Sequence, residues 1–169
     1  MPTSPIQPAP QWYCDRASLK FIAFRYVPPL GALNLLWEIA HLPLYTLWNE
    51  GPPAFIAYAV IHCTLGDVAI GTLALLIALI ATRARSVETW RWRRVALFLV
   101  IPAVAYTALS EWINTVARGS WAYSALMPVV NLGGFEIGLS PLSQWLVVPP
   151  LAVWLAWLCW VDNAKEAGR

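Results

Sequence analysis

Long apolar runs alternate with short polar segments along this chain, and four of the apolar runs are long enough to cross a bilayer. A membrane-spanning helix needs about 20 consecutive apolar residues. The windows of this kind cover residues 30–48, 54–81, 95–117 and 141–161. The first can be extended back to Phe21, in which case Pro28-Pro29 would break or kink its start. The pattern predicts an all-α fold, a polytopic integral membrane four-helix bundle.

The segments that flank these windows are polar, and the longest link, residues 118–140, is expected to be a loop. Residues 1–20 begin with a proline-rich stretch and predict a disordered tail, while residues 21–161 form a single four-span domain. Residues 162–169 are expected to be a cytoplasmic tail. The N-terminal stretch lacks the basic and apolar regions of a signal peptide, so we expect no cleavable leader.

The composition agrees with a membrane protein and excludes several soluble classes. Charged residues make up 12% of the chain, against about 25% in an ordinary soluble domain. That leaves too little polar surface for a soluble enzyme or a disordered regulator, and no basic face large enough for binding nucleic acid. The expected partners are membrane lipid and a hydrophobic small-molecule substrate.

The basic residues predict the orientation of the four spans. Ten of the eleven Lys and Arg residues fall on one side of the membrane, and only Arg118 falls on the other. The positive-inside rule then places both termini and the arginine-rich link at residues 82–94 in the cytoplasm, in a protein of the cell inner membrane. The arginines are first of all topology determinants, and a lipid-headgroup site among them is an alternative.

Three acidic residues and both histidines lie inside the predicted spans, where the sequence has no Lys or Arg. An ionised side chain near the bilayer centre costs at least about 2.5–3.5 kcal/mol. The carboxyls must therefore face the bundle interior, be protonated, pair with histidine or bind a cation. These five residues are the candidate catalytic groups: Glu38, Asp67, Glu111, His41 and His62.

Helical spacing aligns several polar residues. One stripe on the first span has separations of four, three and four positions and holds Asn34, Glu38, His41 and Tyr45. The third span repeats these separations in Thr107, Glu111, Asn114 and Arg118. On the second span, His62 and Asp67 are five residues apart, about 140° around a regular helix, so they do not point at one centre.

Each carboxyl also has a purely structural interpretation. Glu38 with His41 can form an intrahelical pair, and Asp67 can bond a Thr or Asn of a neighbouring helix. Glu111 can pair with Arg118, seven residues along the same face.

Acid–base chemistry on a lipid-like substrate fits these groups. A carboxyl in an apolar pocket holds its proton at neutral pH and is a strong general acid, and aromatic faces stabilise cations formed nearby. Such a site suits alkene isomerisation, epoxide opening or polyene cyclisation. We assign Glu38 as the acid, with Asp67 or Glu111 as the base. The residues expected to bind substrate are Asn34, Trp37, Tyr45, Trp112, Asn114, Trp121, Gln144 and Trp145.

The segment Asn34-Leu-Leu-Trp37-Glu38, followed by Tyr45, resembles the acidic segment of the fungal meroterpenoid integral-membrane terpene cyclases. In that family, a helix carries Asn-x-x-Trp-Glu and the Glu protonates an epoxide or olefin, assisted by an acid from a later helix. The resemblance implies that Glu38 is the proton donor and the substrate an isoprenoid. The family has more spans than this chain, whose size and four spans also resemble the sterol-isomerase-like membrane fold.

Two other classes of function stay open. Glu38 and His41 have the i, i+3 spacing of carboxylate-bridged metal centres, and His62, Asp67 and Glu111 would complete a zinc or iron set. A heme between the two histidines is a variant of this alternative, whereas the acid–base interpretation needs no cofactor. A non-enzymatic lipid-binding or transport-accessory protein is the second class. A homodimer is compatible with each.

Overall fold

The computed structural model describes residues 9–167, apart from the side chains of Leu132 and of residues 162–167. This part of the chain is mostly helical. The helices are α1 (Arg16–Phe21), α2 (Val27–His41), α3 (Leu47–Glu50), α4 (Pro53–Ala81), α5 (Trp92–Trp112) and α6 (Leu139–Ala167). Two strands, β1 (Val129–Leu132) and β2 (Phe135–Gly138), pair as an antiparallel hairpin.

Three helical segments in the described part of the chain are long enough and apolar enough to cross a membrane. They are Pro53–Ala81, Trp92–Ala117 and Leu139–Val161, with mean hydropathies of 2.2, 1.7 and 1.5 in their best windows. The second of these is α5 extended by a π-helical turn. Large apolar side chains point away from the core along these helices, among them Ile61, Leu65, Leu97 and Ile101. Apolar helices with an apolar outer surface are typical of a membrane protein.

The first predicted span starts earlier than its sequence window. α1 continues through a π-helical turn, Ile22–Tyr26, directly into α2, so the chain is helical from Arg16 onward. The wider turn comes just before Pro28 and Pro29, which have no N–H to donate and occupy the first turn of α2. The expectation of a disordered segment is therefore wrong from Arg16, and residues 1–8 lie outside the described chain.

α2 also ends earlier than the predicted window 30–48. The helix stops at His41 and a short 3-10 turn follows, because Pro43 has no N–H to continue the helical pattern. Tyr45 has an extended backbone and forms an isolated β-bridge with Tyr123. The expectation that Tyr45 lies on a helical stripe with the acid of the first span is therefore wrong.

Four helices form a ring around the core. α2 and α5 each pack against both α4 and α6, which places α2 and α5 diagonally across the bundle. The Tyr26 hydroxyl donates to the Gly71 carbonyl over 3.0 Å and ties α2 to α4. A Cβ at Gly71 would lie 2.9 Å from a Leu30 methyl, so this close approach of the two helices depends on glycine.

The N-terminal segment, residues 82–91 and the second half of α6 meet at one end of the ring, which we call the basic end. Gln11 forms an isolated β-bridge with Arg85, and the guanidinium of Arg85 donates to the Ala9 carbonyl over 2.7 Å. A cluster of aromatic rings packs beside them, formed by Phe21, Trp90, Trp92 and Trp160. α6 continues through Ala167, so the expected tail at 162–169 is helical over most of its length.

The opposite end, which we call the loop end, holds residues 42–52 and 118–138. The sequence interpretation treated residues 118–140 as a loop, whereas the structure forms the hairpin there. Gly133 and Gly134 make its turn with φ values of 63° and 98°, which favour glycine. The backbone N–H of Leu139 donates to the Pro128 carbonyl over 2.7 Å and joins the hairpin to α6.

Candidate functional site

A cavity of about 900 Å³ lies at the loop end of the bundle. All five predicted catalytic residues line it, namely Glu38, His41, His62, Asp67 and Glu111. Five of the residues expected to bind substrate also line it, namely Tyr45, Asn114, Trp121, Gln144 and Trp145. The ring of helices thus brings residues from all four helices to one cavity.

The other three residues expected to bind substrate lie off the cavity wall. Asn34 is fully buried between helices, and Trp37 packs against the hydrophobic core. Trp112, on α5, is 39% exposed. Of the three, only Asn34 is bonded to a residue that lines the cavity, as described below.

Glu38 and His41 form a buried pair near the end of α2. Nε2 of His41 lies 3.3 Å from Oε1 of Glu38, and the other ring nitrogen, Nδ1, lies 3.1 Å from the hydroxyl oxygen of Ser140 at the start of α6. Both ring nitrogens therefore have partners, which holds the imidazole beside the carboxyl. This arrangement allows a proton to pass between Glu38 and His41.

Asp67, on α4, is held by an amide chain that crosses the bundle. Gln144 Nε2 donates to Asp67 Oδ2 over 2.8 Å and to Asn34 Oδ1 over 2.9 Å. Asn34 Nδ2 donates to the backbone carbonyl of Leu30 over 2.9 Å. Because a carbonyl only accepts, Asn34 must turn its oxygen toward Gln144, and Gln144 must present its NH₂ group. Asp67 is therefore the acceptor in its bond with Gln144.

The Glu38 and Asp67 carboxyls are neighbours at the cavity wall. His41 lies against Glu38, and Gln144 is bonded to Asp67.

Glu111, on α5, has a separate set of partners from the loop end. Tyr123 OH donates to Glu111 Oε2 over 2.5 Å and accepts from the Gly138 N–H over 3.0 Å. The buried indole N–H of Trp121 faces the same carboxyl and makes no hydrogen bond to any described part of the chain. In that same part of the chain, Glu111 and Arg118 do not form an ion pair, so the expected alternative of such a pair is wrong.

Tyr123 and Ser140 are site residues that the sequence reasoning did not select. Tyr123 reaches Glu111 only because the hairpin and the bridge to Tyr45 fold residues 118–128 over the cavity. Burial, followed by the neighbouring Glu111 carboxyl, raises the pKa of Tyr123 above its ordinary value. The phenol therefore stays protonated at neutral pH and remains a hydrogen-bond donor.

The cavity opens between α4 and α5 as well as at the loop end. Tyr58, His62 and Gly66 follow one another at four-residue spacing along α4, line the cavity and are exposed. The rings of Tyr58 and His62 stack with centroids 5.5 Å apart. Tyr106, on α5, also lines the cavity and is exposed. His62 thus lies at the opening, whereas Asp67 bonds inward to α6.

A metal site is not evident in the described side chains. Among them, no group of three or more His, Cys, Asp or Glu residues is arranged to hold a metal ion.

We compared the sequence with known protein families, curated proteins and solved structures. The sequence matches no protein-family model, no curated protein and no solved structure.

Proposed function

We propose that the protein is an intramembrane acid–base enzyme of the isomerase or cyclase type, with a hydrophobic isoprenoid-like substrate. One observation carries the proposal: Glu38, Asp67 and Glu111 line a single cavity of about 900 Å³. Arg118, at its outer end, is the only Lys or Arg among the described residues that line it. Buried carboxyls that no Lys or Arg pairs with favour proton transfer over structural ion pairing.

Glu38 is the proton donor in this proposal. The NH₂ group of Gln144 donates to Asp67, and such a bond stabilises the charged form of a carboxyl. We therefore assign Asp67 as an acceptor and Glu38 as the group that donates a proton to the substrate. His41, 3.3 Å from Glu38, returns a proton to it after each turnover.

Glu111 is the base. It lies on α5, diagonally across the ring from Glu38 on α2, whereas Asp67 lies beside Glu38. A substrate between the two walls accepts a proton from Glu38 at one carbon or at an epoxide oxygen. Glu111 then removes a proton from a carbon beside the resulting cation, and the Tyr123 hydroxyl orients the Glu111 carboxylate. Glu111 releases this proton to water at the loop end, and His41 takes up a replacement for the one it returned to Glu38, so both carboxyls regain their starting states.

Aromatic side chains supply the remaining part of the mechanism. Tyr45, Trp121, Trp145 and Tyr106 line the cavity, and the faces of such rings stabilise a cationic intermediate. The opening between α4 and α5 lies on the apolar outer surface, so a substrate dissolved in the bilayer enters laterally through it.

The proposal includes a four-span topology with both termini in the cytoplasm. The helical segment from Arg16 to His41 packs against two of the three apolar helices, α4 and α6, and serves as the fourth span. The basic end then faces the cytoplasm from the cell inner membrane by the positive-inside rule. The carboxyls consequently lie in the outer half of the bundle.

Conversion of polyprenyl probes tests the proposal. Purified protein in phosphatidylcholine vesicles is incubated with a panel of polyprenyl alkenes and terminal epoxides, from farnesyl to squalene derivatives, and products are separated by mass spectrometry. Wild-type protein should convert a member of the panel, and Glu38→Gln should not. Glu136→Gln, an exposed carboxyl on the hairpin, is the matched control and should convert it at the wild-type rate. Full conversion by Glu38→Gln would overturn the assignment.

A further inference from the structure

A second cavity, of about 590 Å³, lies at the basic end, between the start of α5 and the second half of α6. One side of it is formed by Arg91, Arg93 and Arg94, with Trp92 and Ala96. The other side is formed by Pro150, Val153, Trp154 and Trp157 of α6. We call this cavity the Arg–Trp groove. It shares no lining residue with the cavity that holds the carboxyls.

The polar side of the Arg–Trp groove favours an anion. Arg91, Arg93 and Arg94 are exposed, and none of them forms an ion pair with a side chain that the structure describes. The first turn of α5 receives no side-chain cap from Arg91, so its free backbone N–H groups add positive potential at the same place. Arg85, from the same link, is instead used to hold the N-terminal segment.

The other side of the groove favours an apolar chain. Val153 is buried and forms the floor, while Trp154 is 51% exposed on the outer surface of α6. The groove therefore continues from the arginines onto the surface that faces lipid. A free anion would bind the arginines but would leave this apolar wall unused, whereas a ligand with an anionic head and an acyl chain would cover both.

We propose that the Arg–Trp groove binds an anionic phospholipid, with the phosphate at Arg91, Arg93 and Arg94 and an acyl chain along Val153 and Trp154. Basic pockets between membrane helices recognise lipid headgroups through charge-assisted hydrogen bonds. This site is independent of the acid–base chemistry at the loop end.

Native mass spectrometry of the full chain in detergent tests the proposal, with phosphatidylglycerol as the probe and phosphatidylcholine as the neutral comparison. Wild-type protein should bind phosphatidylglycerol in preference. The double variant Arg91→Gln/Arg94→Gln should weaken that binding by about tenfold or more. Arg25→Gln/Arg83→Gln removes the same charge from exposed arginines outside the groove and should weaken it less than about twofold. The thermal midpoint of each variant checks that it is folded.

Three outcomes would overturn the proposal. An equal loss of phosphatidylglycerol binding in both double variants would mean that the lipid is attracted by the overall positive charge of the basic end and not by the groove. Equal binding of phosphatidylcholine would mean that the headgroup is not recognised. Displacement of phosphatidylglycerol by inorganic phosphate at equal concentration would mean an anion site without a lipid chain. Trp154→Ser tests the apolar side of the groove separately from the arginine side. It should weaken phosphatidylglycerol binding without increasing competition by phosphate.

Discussion

Gln144 Nε2 donates to Asp67 Oδ2 over 2.8 Å and, from the same nitrogen, to Asn34 Oδ1. This one amide group joins α6 to α4 and to α2. Its orientation follows from the Leu30 carbonyl, which fixes the Asn34 amide. A backbone group inside α2 thus makes Asp67, on another helix, the acceptor of the Gln144 amide.

Replacement of Gln144 by leucine should destabilise the fold. Gln144→Leu leaves the oxygens of Asn34 and Asp67 buried without a donor, and each such loss costs about 1–3 kcal/mol. The free energy of unfolding, measured by titration with sodium dodecyl sulfate, should fall accordingly. Leu146→Ala, at an exposed position of the same helix, is the control and should change it by less than about 0.5 kcal/mol. A Gln144→Leu variant as stable as wild type would contradict the role of the amide chain.

The bond between Tyr123 and Glu111 gives a pH dependence. The pKa of Tyr123 is raised by burial and by the Glu111 carboxyl, above the value of about 10 in an unfolded chain. Above that pH the unfolded chain has released the proton while the folded chain keeps it, so stability falls as pH rises through this range. Tyr123→Phe should lower stability at neutral pH and flatten the decline above pH 10.

Unfolding titrations at several alkaline pH values measure this slope. Tyr13→Phe, an exposed phenol outside the cavity, should keep the wild-type slope. A Tyr123→Phe slope identical to wild type would show that the phenol does not titrate with folding. Gly138→Ala should affect the same bond, because an added Cβ would lie 3.1 Å from the Tyr123 ring.

Gly66 offers a way to close the lateral opening without disturbing the core. It lines the cavity at the exposed edge of α4, and an added Cβ meets no atom within 4 Å. Gly66→Trp should therefore leave the unfolding free energy close to that of wild type and reduce conversion of a polyprenyl probe by about tenfold or more, equivalent to about 1.4 kcal/mol. Leu65→Trp, exposed but outside the cavity wall, should have no effect on conversion. Equal conversion by Gly66→Trp would place the substrate entrance elsewhere.

The sequence predicts the long apolar helices better than the parts that close the site. The window 54–81 nearly coincides with α4, Pro53–Ala81, because a continuous apolar run leaves few alternatives to a helix in a membrane. The break of α2 at His41 depends on Pro43, whose effect a hydropathy window does not register. The carboxyls of the spans were selected because ionisable groups are rare there.

The contact between Tyr123 and Glu111 could not be predicted from sequence spacing. It lies twelve residues after Glu111, in a polar link with no helical period, and reaches the carboxyl through the path of the link and the hairpin. Gln144 was selected from the sequence as a binding residue, but its simultaneous bonds to Asn34 and Asp67 depend on the ring order of three helices. The sequence pattern predicts which polar residues lie within the membrane spans. The packing of the helices determines which of these residues form hydrogen bonds with one another.

Solvent deuterium uptake tests the central claim, that Glu38 transfers a proton to carbon. Wild-type protein, reconstituted in phosphatidylcholine vesicles in deuterated water, is given a polyprenyl alkene, and the product is analysed by mass spectrometry. The account predicts one deuterium bound to carbon per converted molecule for wild type and for Glu136→Gln, and no converted product for Glu38→Gln. Product without deuterium in wild type, or undiminished deuterium uptake by Glu38→Gln, would contradict it.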